Sequence, residues 1–199
     1  MTDNGLYNAE ATLSPDGKRV IFTSTRDGDL ELYTMNVDGS DVRRLTHRVG
    51  YDGGAFFSPD GSKIVWRAGY PETAADTADY QTLLAARMVR PSRMNIWIAN
   101  ADGSDPQQVT RLAGASFAPF FTRDGSRIIF SSNQANPRGR NFDLYLVNLD
   151  GTGLEQVTTY ADFDAFPMFD PTGKKLIWAS NRNAVVPGET NLFVADWVD

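Results

Sequence analysis

Four short runs of consecutive apolar residues punctuate the chain. They are Val20-Ile21-Phe22, Ile64-Val65-Trp66, Ile128-Ile129-Phe130 and Leu176-Ile177-Trp178, each preceded by one Lys or Arg. Three apolar residues without alternation, mostly β-branched and ending in an aromatic, predict a strand covered on both faces. A second set has an aromatic always in second place: Leu32-Tyr33-Thr34-Met35, Ile96-Trp97-Ile98-Ala99, Leu144-Tyr145-Leu146-Val147 and Leu192-Phe193-Val194-Ala195. These are strand-forming residues again. Ahead of each first run lies a shorter segment (Ala11–Leu13, Ala55–Phe57, Pro119–Phe121, Pro167–Phe169) and a turn. The turns are Pro15-Asp16-Gly17, Pro59-Asp60-Gly61, Arg123-Asp124-Gly125 and Pro171-Thr172-Gly173. Proline presets the first turn angle and glycine accepts a positive φ, which predicts a tight hairpin. A second turn, Asp38-Gly39-Ser40, Asp102-Gly103-Ser104 or Asp150-Gly151-Thr152, leads to an outer strand ending Leu45-Thr46, Val109-Thr110 or Val157-Thr158.

The spacing is fixed. Thr2, Thr46, Thr110 and Thr158 each stand fourteen residues before Asp16, Asp60, Asp124 and Thr172. Constant turn spacing separates this pattern from a β-sandwich and marks a repeat whose units bury their faces only against one another. The expected fold is all-β: a β-propeller built from four four-stranded antiparallel blades, with one inserted helix in the second blade. It is read as a single domain over 1–199, with repeats at about 3–46, 47–110, 111–158 and 159–199. The last repeat lacks its outer strand, and Met1-Thr2 sits in register with the tail of one. Three closures fit this phase: a strained four-bladed ring, the C-terminal part of a larger propeller, or a half-ring that self-associates with a second copy.

The succession Ser-Pro-Asp-Gly, apolar strand, Leu-Tyr, Asp-Gly-Ser and Leu-Thr resembles the TolB-type propeller repeat, a relative of the WD repeat. The resemblance runs almost from end to end and departs only where the fourth copy stops, before an Asp-Gly-Ser turn. It implies a non-catalytic scaffold that binds a protein partner, a periplasmic or secreted setting and, in the best-known member, contact with a peptidoglycan-associated lipoprotein. Similar repeats also gate serine peptidases or accompany hydrolases, so an accessory propeller is the alternative.

Loop lengths single out one face. From Ser24 to Leu32 is eight residues, from Ala68 to Ile96 twenty-eight, and from Ser132 to Leu144 and Ser180 to Leu192 twelve each. These second-to-third-strand loops share a face with the interblade linkers, and long loops on a rigid scaffold carry binding. The stretch 71–91 predicts a helix with Thr73 as N-cap, Asp76 and Asp79 near its start and Arg87 and Arg90 near its end. Its stripe Tyr80, Leu83, Leu84 and Met88 is expected to dock on the blades; the alternative is a lid or partner-binding helix.

Charge narrows the partners. A net charge of −6 argues against nucleic acid, which needs a basic face. No cysteine is present, so disulfides and thiolate chemistry drop out. No apolar run approaches the ~18 residues of a membrane span, and the N-terminus lacks the basic-then-apolar signature of a signal peptide. Asn8, Asp52, Ser116 and Asp164 occupy equivalent places before the innermost strands, with Glu10 close by, so their oxygens are expected at the channel mouth. No cofactor is expected. Ca²⁺ on Asp52 and Asp164 is the weak candidate, since no dense Asp-x-Asp loop occurs. The single histidine, His47, reads as a solvated linker residue. Arg67, Arg90, Arg93, Arg138, Arg140 and Arg182 concentrate on the elaborated face. They are expected either to receive carboxylates, including those of acidic oligosaccharides, or to pair with Glu72, Asp76, Asp79 and Glu189.

Overall fold

The computed structural model describes residues 5–90 and 93–198. Fifteen strands and one helix follow in simple order. The first blade is β1 (Asn8–Leu13), β2 (Arg19–Ser24), β3 (Glu31–Asn36) and β4 (Arg43–Arg44); the second is β5 (Tyr51–Phe57), β6 (Lys63–Gly69), β7 (Asn95–Asn100) and β8 (Gln107–Gln108). The third is β9 (Ser116–Phe121), β10 (Arg127–Ser132), β11 (Asp143–Asn148) and β12 (Glu155–Gln156). The fourth has three strands among the described residues, β13 (Asp164–Phe169), β14 (Lys175–Ser180) and β15 (Asn191–Asp196). Every pairing is antiparallel between sequence neighbours. Met1-Thr2, expected as the tail of an outer strand, lies outside the described residues.

The repeated residues now have physical roles. In Ser58-Pro59-Asp60-Gly61 the Gly61 amide bonds the Ser58 carbonyl at φ +73°. Asp60 accepts from the Ser58 hydroxyl and the Ser62 amide, which hold its carboxyl down at about 2. The threonine of each Leu-Thr or Val-Thr pair latches the outer strand. Thr46, Thr110 and Thr158 accept through Oγ1 from the amides of Leu32, Ile96 and Leu144 at 2.8–3.0 Å.

The apolar runs alternate between two neighbours. Ile64 and Trp66 pack on Ile21 and Leu32 of the first blade, while Val65, Ile96 and Ile98 pack on Phe121, Ile128 and Phe130 of the third. Ile129, Leu144 and Leu146 meet Phe169, Leu176 and Trp178 of the fourth in the same way. The core is therefore a series of interblade layers. Among the described residues, no strand of the fourth blade touches a strand of the first.

Helix α1 (Ala74–Ala85) fills part of the long loop. Thr73 and Asp76 form a reciprocal capping box at its start, which satisfies amides that the first turn leaves without partners. The helix ends sooner than the expected 91, and Pro91 lies outside the described residues. Arg87 turns left-handed at φ 58°, with Met88 N–H on the Leu83 carbonyl and Arg87 N–H on that of Leu84. That hydrogen-bond pair is a Schellman closure, and it leaves Arg87 and Arg90 beyond the helix. The expected stripe docks chiefly through Tyr80, whose hydroxyl donates to Asp29 of the first blade and to the Gly50 carbonyl. Met88 stays exposed.

Candidate functional site

The residue expected at the channel mouth opens β1, β9 and β13 and stands second in β5, and each strand bulges two residues beyond it. Glu10, Gly54, Ala118 and Phe166 all have positive φ, from 50° to 64°, at register shifts against the neighbouring strand. Bulges re-aim side chains. Asp52, Ser116 and Asp164 are fully buried and bond within their own blades. Asp52 accepts from Trp66 Nε1 and the Tyr70 hydroxyl, both at 2.6 Å. The Ser116 hydroxyl meets that of Ser132. Asp164 holds Trp178 Nε1 and an ion pair with Arg182, and Asn8 accepts from the Ser24 hydroxyl.

The first and second blades meet over two buried carboxylates, Glu31 and Asp52. Glu31 pairs with Arg44 at 2.6 Å; among the described residues Asp52 makes no ion pair. Among the described residues, one oxygen of each lacks a hydrogen-bond partner. Burial pushes the Asp52 carboxyl up to about 7, against its two donors, with the charges of Glu31 and Asp29 adding to the rise. Among the described residues no three acidic or histidine side chains are grouped to hold a metal ion.

The bulge at position 10 aims Glu10 into the centre, where it pairs with Arg67 and accepts from Tyr51 and Thr23. Gly54 makes room for this cluster, because a Cβ there would lie 2.3 Å from Arg67 Nη1. The bulge at Phe166 places that ring against Phe117 and Phe163, and Phe142 completes the group, with centroids 5.1–6.4 Å apart. Phe166 remains 53% exposed. The loop that leads to Phe142 carries Arg138 and Arg140, both exposed, and is anchored by Asn133 to the carbonyls of Pro137 and Gly139.

Between α1 and the linkers on either side of the second blade runs a cleft of about 660 Å³. Tyr70 and Trp97 stand edge to face at 5.2 Å, and the Arg48 guanidinium lies 4.2 Å over the Tyr70 ring. Arg90, Arg93 and Arg111 also line it. Arg90 pairs with Asp79. Arg48, Arg93 and Arg111 make no ion pair among the described residues.

The family described as the TolB beta propeller domain matches residues 3–73. An uncharacterized protein of Agrobacterium fabrum is 28% identical over 123 residues, covering 62% of this chain and 35% of that protein. The Tol-Pal system protein TolB of Francisella tularensis subsp. holarctica is 25% identical over 168 residues, covering 69% of this chain and 38% of that protein. The crystal structure of TolB from Acinetobacter baumannii superposes with a TM-score of 0.73 at 17% identity, over 96% of this chain and 41% of that one. The matched stretch, residues 3–73, is similar to TolB-type β-propeller repeats. It spans under two-fifths of the length of the curated relatives it matches. A puromycin-hydrolyzing peptidase of Mycobacterium tuberculosis shares the fold at a TM-score of 0.66 and 18% identity, over 96% of this chain and 30% of that one.

Within this propeller the arginines expected from the sequence divide into three groups. Arg67 and Arg182 are consumed by Glu10 and Asp164, and Arg182 also lies over the rings of Tyr160, Trp178 and Phe193. Arg90 and Arg93 line the cleft, and Arg138 and Arg140 stand exposed on the loop that leads to Phe142. Of the expected acidic partners, Asp79 does pair with Arg90, and two others are engaged elsewhere. Asp76 caps the helix, and Glu189 accepts from the Val185 and Val186 amides and from Asn191. Sequence reasoning missed Arg48, Arg111 and the four phenylalanines, because none belongs to a local motif. The one signal was the repeated placement of Arg48 and Arg111 just after a strand-ending threonine.

Proposed function

We propose that the chain is a non-catalytic propeller scaffold that binds a protein partner through the linker and long-loop face. The observation that carries this reading is the cluster of Phe117, Phe142, Phe163 and Phe166 on that face, with Phe166 half in solvent and two exposed arginines, Arg138 and Arg140, on the loop that leads to Phe142. Aromatic and arginine side chains dominate binding hot spots. The left-handed backbone at Phe166 is uncommon for a bulky residue and aims the ring outward, at a conformational cost. A periplasmic setting is part of the proposal and rests on the likeness to TolB proteins. A second reading, a propeller accompanying a hydrolase, draws on the fold shared with the peptidase.

A photo-crosslinking residue at Arg140 on this face and another at Ser126 on the opposite hairpin face would test the proposal. A partner should crosslink from position 140 and not from 126. Once that partner is purified, Phe166→Ala should weaken its binding at least about tenfold, the scale of a hot-spot residue. Crosslinking from position 126 alone, or unchanged affinity in the Phe166 variant, would overturn it.

A further inference from the structure

The cleft under α1 is divided in charge. It is lined by Arg48 and Arg111 from the two linkers and Arg93 from the segment before β7, which have no carboxylate partner among the described residues, and by Glu72 ahead of the helix and Asp76 and Asp79 on it. Asp79 is occupied by Arg90 and Asp76 by the helix cap. In a chain of net charge −6, three guanidiniums without a counter-charge in one cleft are a local excess of positive charge; Arg48 lies over Tyr70, and Arg111 reaches only the Gln108 carbonyl. Arginine is suited to this role, because its planar fork receives carboxylates bidentately and is more weakly hydrated than an ammonium.

The geometry points to this cleft as the docking site for an acidic peptide segment, whose Asp or Glu carboxylates meet Arg48, Arg93 and Arg111. This assignment deepens the partner-binding reading above and rests on it. The volume of about 660 Å³ lies in the usual range for a ligand pocket. A peptide also supplies backbone N–H donors, and Glu72 makes no hydrogen bond or ion pair of its own among the described residues. An acidic oligosaccharide fits less well. Sugars stack on open aromatic faces, whereas Arg48 covers Tyr70 and the edge of Tyr70 abuts Trp97. A polyuronate would also bring like charge against the helix side. The aromatic pair serves instead to position Arg48, and Tyr80 holds the helix over the cleft through its bonds to Asp29 and Gly50.

The test uses the full chain, a dye-labelled peptide Gly-Asp-Glu-Leu-Asp-Glu-Gly and its Asn/Gln counterpart, read by fluorescence anisotropy at low salt. The acidic peptide should bind at least about tenfold more tightly than the neutral one, and added salt should narrow the gap, because these charges are solvent-accessible. Arg93→Gln with Arg111→Gln, both exposed and free of ion pairs, should erase that preference without lowering the melting temperature. Glu72→Gln should tighten binding severalfold by removing a like charge. Equal binding of the two peptides, no binding of either, or full affinity in the double variant would overturn the assignment. Displacement of the peptide by trigalacturonate at lower concentration than by unlabelled peptide would overturn it too, in favour of a glycan. If the double variant still crosslinks to its partner from position 140, only the cleft assignment fails. If no partner crosslinks from that face, the broader reading fails independently.

Discussion

The second and fourth blades have nearly the same strand sequence and opposite surroundings. Ile96 and Ile98 on β7 are 0% and 5% exposed against the third blade. Leu192 and Val194, their counterparts on β15, are 77% and 60% exposed. The rise from buried to exposed owes nothing to local preference, since both segments are strands of six residues with matching registers. It comes from the neighbour. A repeat encodes a blade; only an adjacent blade turns its outward side chains into core.

The largest test of this contrast removes the same methyl groups from both places. Ile96→Ala should cost about 2–5 kcal/mol in urea unfolding, the range for truncating a buried aliphatic side chain. Leu192→Ala should fall within about 0.5 kcal/mol of the parent, as at other exposed sites. A comparable cost at Leu192 would break the comparison, because it would mean that another surface covers β15 in solution. A protein-concentration dependence of that cost would identify the cover as a second copy.

The buried carboxylates at the start of the innermost strands differ in the same pair of blades. Asp164 has Arg182 beside it; Asp52 has two neutral donors and the negative charges of Glu31 and Asp29. With its carboxyl raised to about 7, the folded chain holds that proton more tightly than the unfolded chain, whose Asp titrates near 4. Stability from this group is therefore fully present below about pH 4, declines as pH climbs toward 7, and is flat above. Asp52→Asn should remove that decline and raise stability at pH 8 by about 1–3 kcal/mol, the cost of an unsatisfied buried polar group. Asp164→Asn should do the reverse and destabilise at neutral pH, by leaving Arg182 without its counter-charge. Parallel pH–stability curves for parent and Asp52→Asn would show that the Asp52 carboxylate is compensated after all.

Much of this fold was legible before any coordinates. A run such as Ile64-Val65-Trp66 admits no reading but a strand covered twice, and fixed Asp-Gly spacing sets the order of the blades. The site was less legible, and particular residues show why. Asp52 and Asp164 were expected at the channel mouth, but the pairing of β5 with β6 and β13 with β14 turns them onto Trp66 and Trp178 inside their own blades. The bulges that follow, at Gly54 and Phe166, have no common residue type, so nothing in the chain announces them. Phe117, Phe142, Phe163 and Phe166 come from an inner strand, a loop, a linker and another inner strand. Their meeting depends on how the third blade packs on the fourth. Arg48 and Arg111 lie more than sixty residues apart in sequence and share one cleft only because the fold sets both linkers beside the second blade's long loop.

The smallest effect lies in the loops that close the comparison. Arg87, after α1 in the second blade, and Asn183, in the shorter loop of the fourth, both hold left-handed backbone, at φ 58° and 59°. Asparagine tolerates that region through local hydrogen bonding; arginine has no such relief. Glycine removes the Cβ conflict but adds freedom to the unfolded chain. The two terms nearly cancel at Asn183 and leave a net gain at Arg87. Arg87→Gly should therefore stabilise by about 0.5 kcal/mol, and Asn183→Gly should leave the melting temperature unchanged or slightly lower. Arg87 lies outside the cleft lining, so a change in peptide affinity in Arg87→Gly would mean that the Schellman turn, and not the blades alone, sets the width of the cleft.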